Sequence, residues 1–249
     1  MKTAVLDIGN TRTKAAVFGD DGIERKIIFP TSPNFQHPEA KDFFSGVDRV
    51  VVGSVVPEAT LPWKNFFPSL VEITAKAPWG FSFGVEQPES VGVDRLANME
   101  AVCARGEPMV VVDAGTATKW DLLSFSDGKA CFEGGAIAPG VRLSAEALLE
   151  KGARLPSQDL IEELFQSSES IAVVGKNTKD ALRAGIVKAF VVQVDGMLAH
   201  LFAQNHSLDF CRVVATGGNS FLLKNRTRLI NEFREDLTIE GLYAVAQKL

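Results

Sequence analysis

The chain has 249 residues, with 26 Lys and Arg against 31 Asp and Glu and a formal net charge of −5. That acidic balance argues against the broad basic surface that nucleic acid requires, so no nucleic-acid partner is expected. Hydrophobic residues make up 46% and charged residues 23% of the chain, the proportions of a globular fold with a core large enough to stand without disulfides. No run is expected to reach the roughly 20 apolar residues of a transmembrane helix, so no membrane partner is expected. Asp7 interrupts Thr3-Ala4-Val5-Leu6 too early for a signal peptide. Cys103, Cys131 and Cys211 are dispersed and form no C-x-x-C pair, which fits reduced thiols in a cytoplasmic protein.

In chain order, Ala4-Val5-Leu6 reads as a strand running into the turn Asp7-Ile8-Gly9-Asn10-Thr11. Thr13 to Phe18 is a second strand, Asp20-Asp21-Gly22 a turn, and Ile23 to Phe29 a third strand. Arg49 to Gly53 reads as a buried strand, and Glu58 to Phe67 as a short helix broken near Pro62. Phe83 to Val91 reads as extended. Asp94 to Arg105 has helical spacing in Leu96, Met99 and Val102, with Gly106 as its stop. The opening pattern then returns. Met109 to Val112 runs into Asp113-Ala114-Gly115-Thr116, followed by Ala117 to Phe125, the turn Ser126-Asp127-Gly128, and Lys129 to Phe132. Gly140 to Glu150 reads as a helix with Leu143, Ala147 and Leu148 on one side. Thr178 to Phe202 is the longest helical candidate, and a third strand-to-glycine junction at Cys211 to Asn219 is expected to lead into a helix from Ser220. Two copies of strand, D-x-G turn, strand, D-G turn, strand imply two related domains, 1–107 and 108–249, meeting near Glu107-Pro108 without a linker.

A D-x-G turn between strands suits phosphate binding. Glycine lets the backbone approach a ligand, and N–H groups with the Asn10, Thr11 or Thr116 side chains can bond phosphate oxygens. Asp7 and Asp113 can hold a hydrated Mg²⁺ or another cation among those phosphates. Two such turns from two domains would clamp one polyphosphate, and Thr216-Gly217-Gly218 would form a wall beside the nucleoside. Gly92-Val93-Asp94-Arg95 opens a helix, where Asp94 either caps it or accepts a hydroxyl proton, with Arg95 placed for a carboxylate or phosphate. His37, His200 and His206 sit in a loop or at a helix end and read as surface or capping residues. G-x-S-x-G, H-E-x-x-H and Walker A patterns are missing from the sequence.

These motifs, together with Gly53-Ser54-Val55-Val56-Pro57, Gly134-Gly135-Ala136-Ile137-Ala138-Pro139-Gly140 and Asn177-Thr178 with Ala181 and Gly185, resemble the type III pantothenate kinase family over nearly the whole chain. The resemblance implies an α/β fold of two ribonuclease H-like domains of the acetate and sugar kinase/Hsp70/actin superfamily. It implies a homodimer that phosphorylates pantothenate with ATP, Mg²⁺ and a monovalent cation, K⁺ or NH₄⁺, as the first step toward coenzyme A. By position, Asp7 to Lys14 resembles the first ATP-phosphate loop, taking in Gly9, Asn10, Thr11 and Lys14, with Asp7 holding Mg²⁺ through water. Asp94 matches the proton acceptor. Gly92, Val93, Asp94, Arg95 and Thr178 match substrate contacts, Thr116 an ATP contact, and Asp113 the monovalent-cation ligand; Gly217 and Gly218 join the ATP site. Two departures stand out. Val85-Glu86-Gln87-Pro88 replaces the usual Tyr-x-Asn-Pro, and Thr118-Lys119-Trp120 follows Gly115-Thr116-Ala117, so that Lys119 is a candidate to replace the cation with its own charge. A non-catalytic regulatory homologue and a kinase of the same fold for another hydroxyl acceptor are the rival readings.

Overall fold

The structure, a computed structural model, describes residues 1–34, 37–152, 159–166, 170–204 and 211–249. His206 therefore lies outside the described residues. By its internal contacts the chain forms two compact units. The first comprises residues 1–107, 123–133 and 236–249, the second residues 108–122 and 134–235. They are not the contiguous halves 1–107 and 108–249 expected above. The reason is the C-terminal helix α8 (Leu237–Ala246), whose Ile239, Leu242, Val245 and Ala246 are buried in a core of the first unit.

In the first unit, β1 (Thr3–Ile8), β2 (Arg12–Gly19), β3 (Gly22–Pro30), β4 (Arg49–Ser54) and β5 (Val71–Ile73) form a sheet ordered β3-β2-β1-β4-β5. The opening hairpins are antiparallel, and β1 and β4 pair in parallel with Asp7 beside Gly53. The central strands are buried on both faces because helices cover both, as their continuous Val and Ala runs suggest. Odd-facing residues such as Val5 and Val51 pack with α8 and with α3 (Val93–Cys103). Even-facing residues such as Ala4 and Leu6 pack with α1 (Ala40–Phe43) and with Trp63 of α2 (Pro57–Phe66). The helix expected to break at Pro62 is continuous. Ala59, Thr60 and Trp63, on either side of the proline, are all buried, and that anchoring outweighs one lost backbone bond. The stretch 83–91 is not extended throughout: β6 (Ser82–Phe83) is short, and Pro88–Ser90 is a 3₁₀ turn.

The second sheet is ordered β11-β10-β7-β8-β9-β6. It contains β7 (Met109–Ala114), β8 (Ala117–Ser126), β9 (Lys129–Pro139), β10 (Arg212–Thr216) and β11 (Glu232–Phe233). Asp127 and Gly128 have φ 51° and 75°, the left-handed pair that a two-residue hairpin turn demands. Residues 123–133, around this turn, belong to the first unit.

Val110, Val112, Val213 and Ala215 form one face of the sheet in the second unit. They pack on α4 (Val141–Lys151), α5 (Asp159–Gln166), α6 (Thr178–Arg183) and α7 (Ala189–Gln204). The inner face of α4 is Val141, Ala145 and Leu149; Leu143, Ala147 and Leu148, expected on one side of the helix, are exposed. Both stripes are apolar, and only the first meets the core. The expected helix at 178–202 is one helical run, 178–204, with a π segment at Ala184–Lys188. Contrary to the expectation that no run reaches membrane length, it is long and apolar enough by length and composition. Its Leu182, Ile186, Phe190, Val194 and Leu198 are buried in the unit's own core. After β10 comes only a 3₁₀ turn, Ser220–Leu222, in place of the helix expected from Ser220. The run bends away at Asn225, whose φ is 63°.

Candidate active site

The first unit brings three of the quoted motifs together. Asp7, the last residue but one of β1, is cross-strand from Lys14 on β2, so both side chains stand on one face of the hairpin. The turn between them is closed by Gly9 N donating to Arg12 O at 3.1 Å. It is backed by Thr31, whose Oγ1 donates to Gly9 O at 2.7 Å and whose N donates to Thr11 O at 3.2 Å. Asn10 and Thr11 are left exposed. Val55 N donates to Ile8 O at 3.1 Å, which ties the Gly53–Pro57 motif to this turn. Val55 in turn lies against Gly92, where a methyl group would stand 3.5 Å from its Cγ1.

Gly92, not Asp94, is the N-cap of α3. Val93 is buried at the first helical position and Asp94 follows it, half-buried, its Oδ1 accepting from Arg95 N at 2.9 Å. The capping reading of Asp94 therefore fails: the carboxylate sits in the first turn, where the helix dipole favours its negative charge. The Arg95 guanidinium lies 5.4 Å over the Phe132 ring, which holds the planar group in one orientation.

The second unit assembles the other motifs. Asp113, the last residue but one of β7, lies in parallel register with Thr216 of β10. Asn219 joins the two strand ends, its N donating to Ala114 O at 2.8 Å and its Nδ2 to Gly115 O at 3.1 Å. Gly140 N donates to Thr116 O at 3.0 Å, bringing the start of α4 to the same junction. Gly217 has φ 88°, and a methyl group there would stand 2.6 Å from both Ala114 C and Asp113 Oδ1, so the close approach admits only glycine. Thr116 and Gly218 are exposed at the rim.

Thr178 stands apart from that junction. It begins α6 behind the cap Asn177, whose Oδ1 accepts from Asp180 N at 2.9 Å. With Leu148, Ala181, Leu182, Gly185 and Ile186 it lines an open apolar groove. Leu148 lies seven residues into α4 from its start, about 10 Å along the axis.

The resemblance implies two cations at these groups. Among the described residues no three His, Cys, Asp or Glu side chains gather into a metal cage. Mg²⁺ needs none, because it is commonly held by one or two carboxylates, water and substrate phosphates, and Asp7 fits that role. The monovalent cation is different. Lys119 Nζ lies 2.7 Å from Asp113 Oδ2, with only 14% and 11% of the two side chains exposed. An ammonium group already occupies the carboxylate, and the residues present do not fit an added ion.

Sequence reasoning passed over Thr31, the backing of the first turn, because an isolated threonine after a strand carries no pattern. It also passed over Glu100, buried on α3, whose Oε2 accepts from Gly80 N at 2.6 Å and whose Oε1 pairs with Lys248. A lone acid on an otherwise apolar helix face was the one available signal.

A family model described as type III pantothenate kinase matches residues 4–200. The type III pantothenate kinase of Desulfosudis oleivorans is 31% identical over 257 residues, covering 96% of each chain. Among solved structures, a conserved putative Baf family transcriptional activator from Campylobacter jejuni superposes with a TM-score of 0.63 at 18% identity, covering 98% of each chain. An archaeal actin homologue in complex with ADP superposes with a TM-score of 0.53 at 16% identity, covering 100% of each chain. The fold is thus the actin-like α/β fold. Within that class, the chain belongs to the type III pantothenate kinase family.

Proposed function

We propose that this chain transfers the γ-phosphoryl group of ATP to the 4′-hydroxyl of pantothenate, giving 4′-phosphopantothenate and ADP on the way to coenzyme A. The observation that supports this assignment best is the placement of Asp94: in the first turn of α3, relieved of capping by Gly92, and linked through Val55 to the Asp7 turn.

Phosphoryl transfer asks a protein mainly for positioning and neutralisation of charge. The pantothenate hydroxyl oxygen forms a bond to the γ-phosphorus while the bond from that phosphorus to the β–γ bridging oxygen breaks. Asp94 accepts the hydroxyl's hydrogen bond and then its proton. A carboxylate is a weak base toward an alcohol, so phosphoryl departure runs ahead of proton transfer, and alignment is its first contribution. Gly9, Asn10, Thr11 and Lys14 bind phosphate oxygens, and Thr116, Gly217 and Gly218 bind nucleotide. Mg²⁺ supplies neutralisation of phosphate charge, and Asp7 would hold it through water. Gly92, Val93, Arg95 and Thr178 contact pantothenate, with the guanidinium suited to its carboxylate.

The same reading takes the chain as a cytoplasmic homodimer. Leu143 and Leu148 on α4 and Val192 on α7 are exposed apolar side chains that a second copy would cover. Sedimentation at micromolar concentration should give twice the 26.9 kDa chain mass.

The test is an acceptor panel with purified protein, ATP and Mg²⁺. ADP should appear only with pantothenate, and mass spectrometry should find 4′-phosphopantothenate. Product from another hydroxyl acceptor alone would reassign the substrate, and no product from any acceptor would favour a regulatory role. Asp94→Asn should lower turnover by roughly 10²–10⁴-fold with nucleotide affinity unchanged. Turnover within a few-fold of wild type would remove Asp94 from the chemistry.

A further inference from the structure

The tight turn after β7, with Gly115 N donating to Ala117 O at 3.1 Å, sets Lys119 of β8 opposite Asp113. The two meet as an ion pair at 2.7 Å, nearly shut off from solvent. Oδ2 takes the ammonium, and Oδ1 is crowded by the backbones of Gly115 and Gly217, where methyl groups would stand 3.3 and 2.6 Å away. An added monovalent ion at Asp113 would have to displace the ammonium or sit beside it. Displacement breaks a short ion pair largely shut off from solvent, and close approach sets two positive charges together in a site with little water to screen them. An ammonium group and a potassium ion carry the same charge and differ little in size. A lysine therefore delivers that charge at this carboxylate on a covalent tether.

We propose that Lys119 is a built-in counter-ion in the phosphate site, making catalysis by this chain independent of K⁺ and NH₄⁺. The inference rests on the kinase reading above. Lys119 acts through Asp113: it holds the carboxylate against the Thr216–Asn219 turn and keeps the junction near neutral when the phosphates of ATP arrive.

The first arm of the test uses the wild-type protein. Phosphoryl transfer is measured in a buffer of bulky organic cations and Mg²⁺, with KCl replacing the organic chloride at constant ionic strength. The rate should change by less than about threefold, within the smallest couplings expected between linked ligands. Larger activation by K⁺ overturns the proposal.

The second arm uses Lys119→Thr, which removes the ammonium and opens space beside Asp113. Without K⁺ its turnover should fall on the order of 10²-fold, the scale for losing one preorganised charge-stabilising group, and K⁺ or NH₄⁺ should restore it. A folded Lys119→Thr that matches wild type without K⁺, or that K⁺ does not restore, overturns the counter-ion role. If that variant fails to fold, the wild-type arm still decides.

The third arm separates this proposal from the kinase reading. Affinity for a non-hydrolysable ATP analogue is titrated with K⁺ by calorimetry, and crystals with the analogue are soaked in Rb⁺. Wild-type affinity should ignore K⁺ and Asp113 should show no anomalous peak, whichever acceptor the enzyme uses. A peak at Asp113 in the wild type overturns the proposal even if pantothenate turnover is confirmed.

Discussion

Gly217→Ala tests the close approach on which the second unit's junction depends. At φ 88° an L-residue pays the left-handed penalty of about 1–2 kcal/mol. Its methyl group would also stand 2.6 Å from the carbonyl carbon of Ala114 and from Asp113 Oδ1. The first neighbour is backbone at the end of β7, its carbonyl held by Asn219 N, and cannot easily step aside, so overpacking adds about 1–3 kcal/mol. The total, about 2–5 kcal/mol, should lower the melting temperature by roughly 5–15 °C for a chain of this size. The strain falls on the Asp113 turn itself, so affinity for an ATP analogue should weaken together with stability. Gly218→Ala is the control, because a methyl group there meets nothing within 4 Å. Its melting temperature should stay near wild type, while nucleotide affinity drops if the backbone approaches ATP at that point. Thermal unfolding by circular dichroism and calorimetric titration read both quantities. A Gly217→Ala protein melting within about 1 °C of wild type would refute the packing argument, and one that binds the analogue equally well would refute the assignment of this turn to the nucleotide.

Two further predictions concern α3. Lys248→Met should destabilise the protein by about 1–3 kcal/mol, less than the full value of a broken buried pair because the lysine itself is 40% exposed; adding Glu100→Gln should recover part of the loss, since the amide still accepts from Gly80 N, and urea unfolding of the three proteins would show no recovery if the ion pair is idle. The Cys103 thiol is pushed up to about 11, first by burial and then by the nearby Glu100 carboxylate, so alkylation by iodoacetamide should stay slow through pH 9 and rise only as pH approaches 11. Because the folded state holds this proton more tightly than the unfolded chain, the associated stability is complete below about pH 9 and is lost as pH rises toward 11. Rapid labelling of the folded protein at pH 8 would contradict the burial of this thiol.

Local chemistry made the hairpins and their turns legible in the sequence. An Asp-Gly step adopts two positive φ angles at little cost, so Asp127-Gly128 marks its own turn, and the repeated D-x-G pattern marks the strand ends that carry Asp7 and Asp113. The pairing of Lys119 with Asp113 was legible for the same reason: both residues belong to one hairpin, and strand alternation with a tight turn limits where the lysine can reach.

Long-range packing decided the rest. Two apolar stripes on α4 look alike in sequence, and only the surrounding core selects Val141, Ala145 and Leu149 over Leu143 and Leu148. Pro62 signals a break in any isolated helix, yet burial of Trp63 and Ala59 holds this one together. Glu100 gives no sign that a lysine 148 residues away will neutralise it. Nor does the last helix show that it will return to the first sheet, because periodicity tells which face of a helix is apolar but not which surface will cover it.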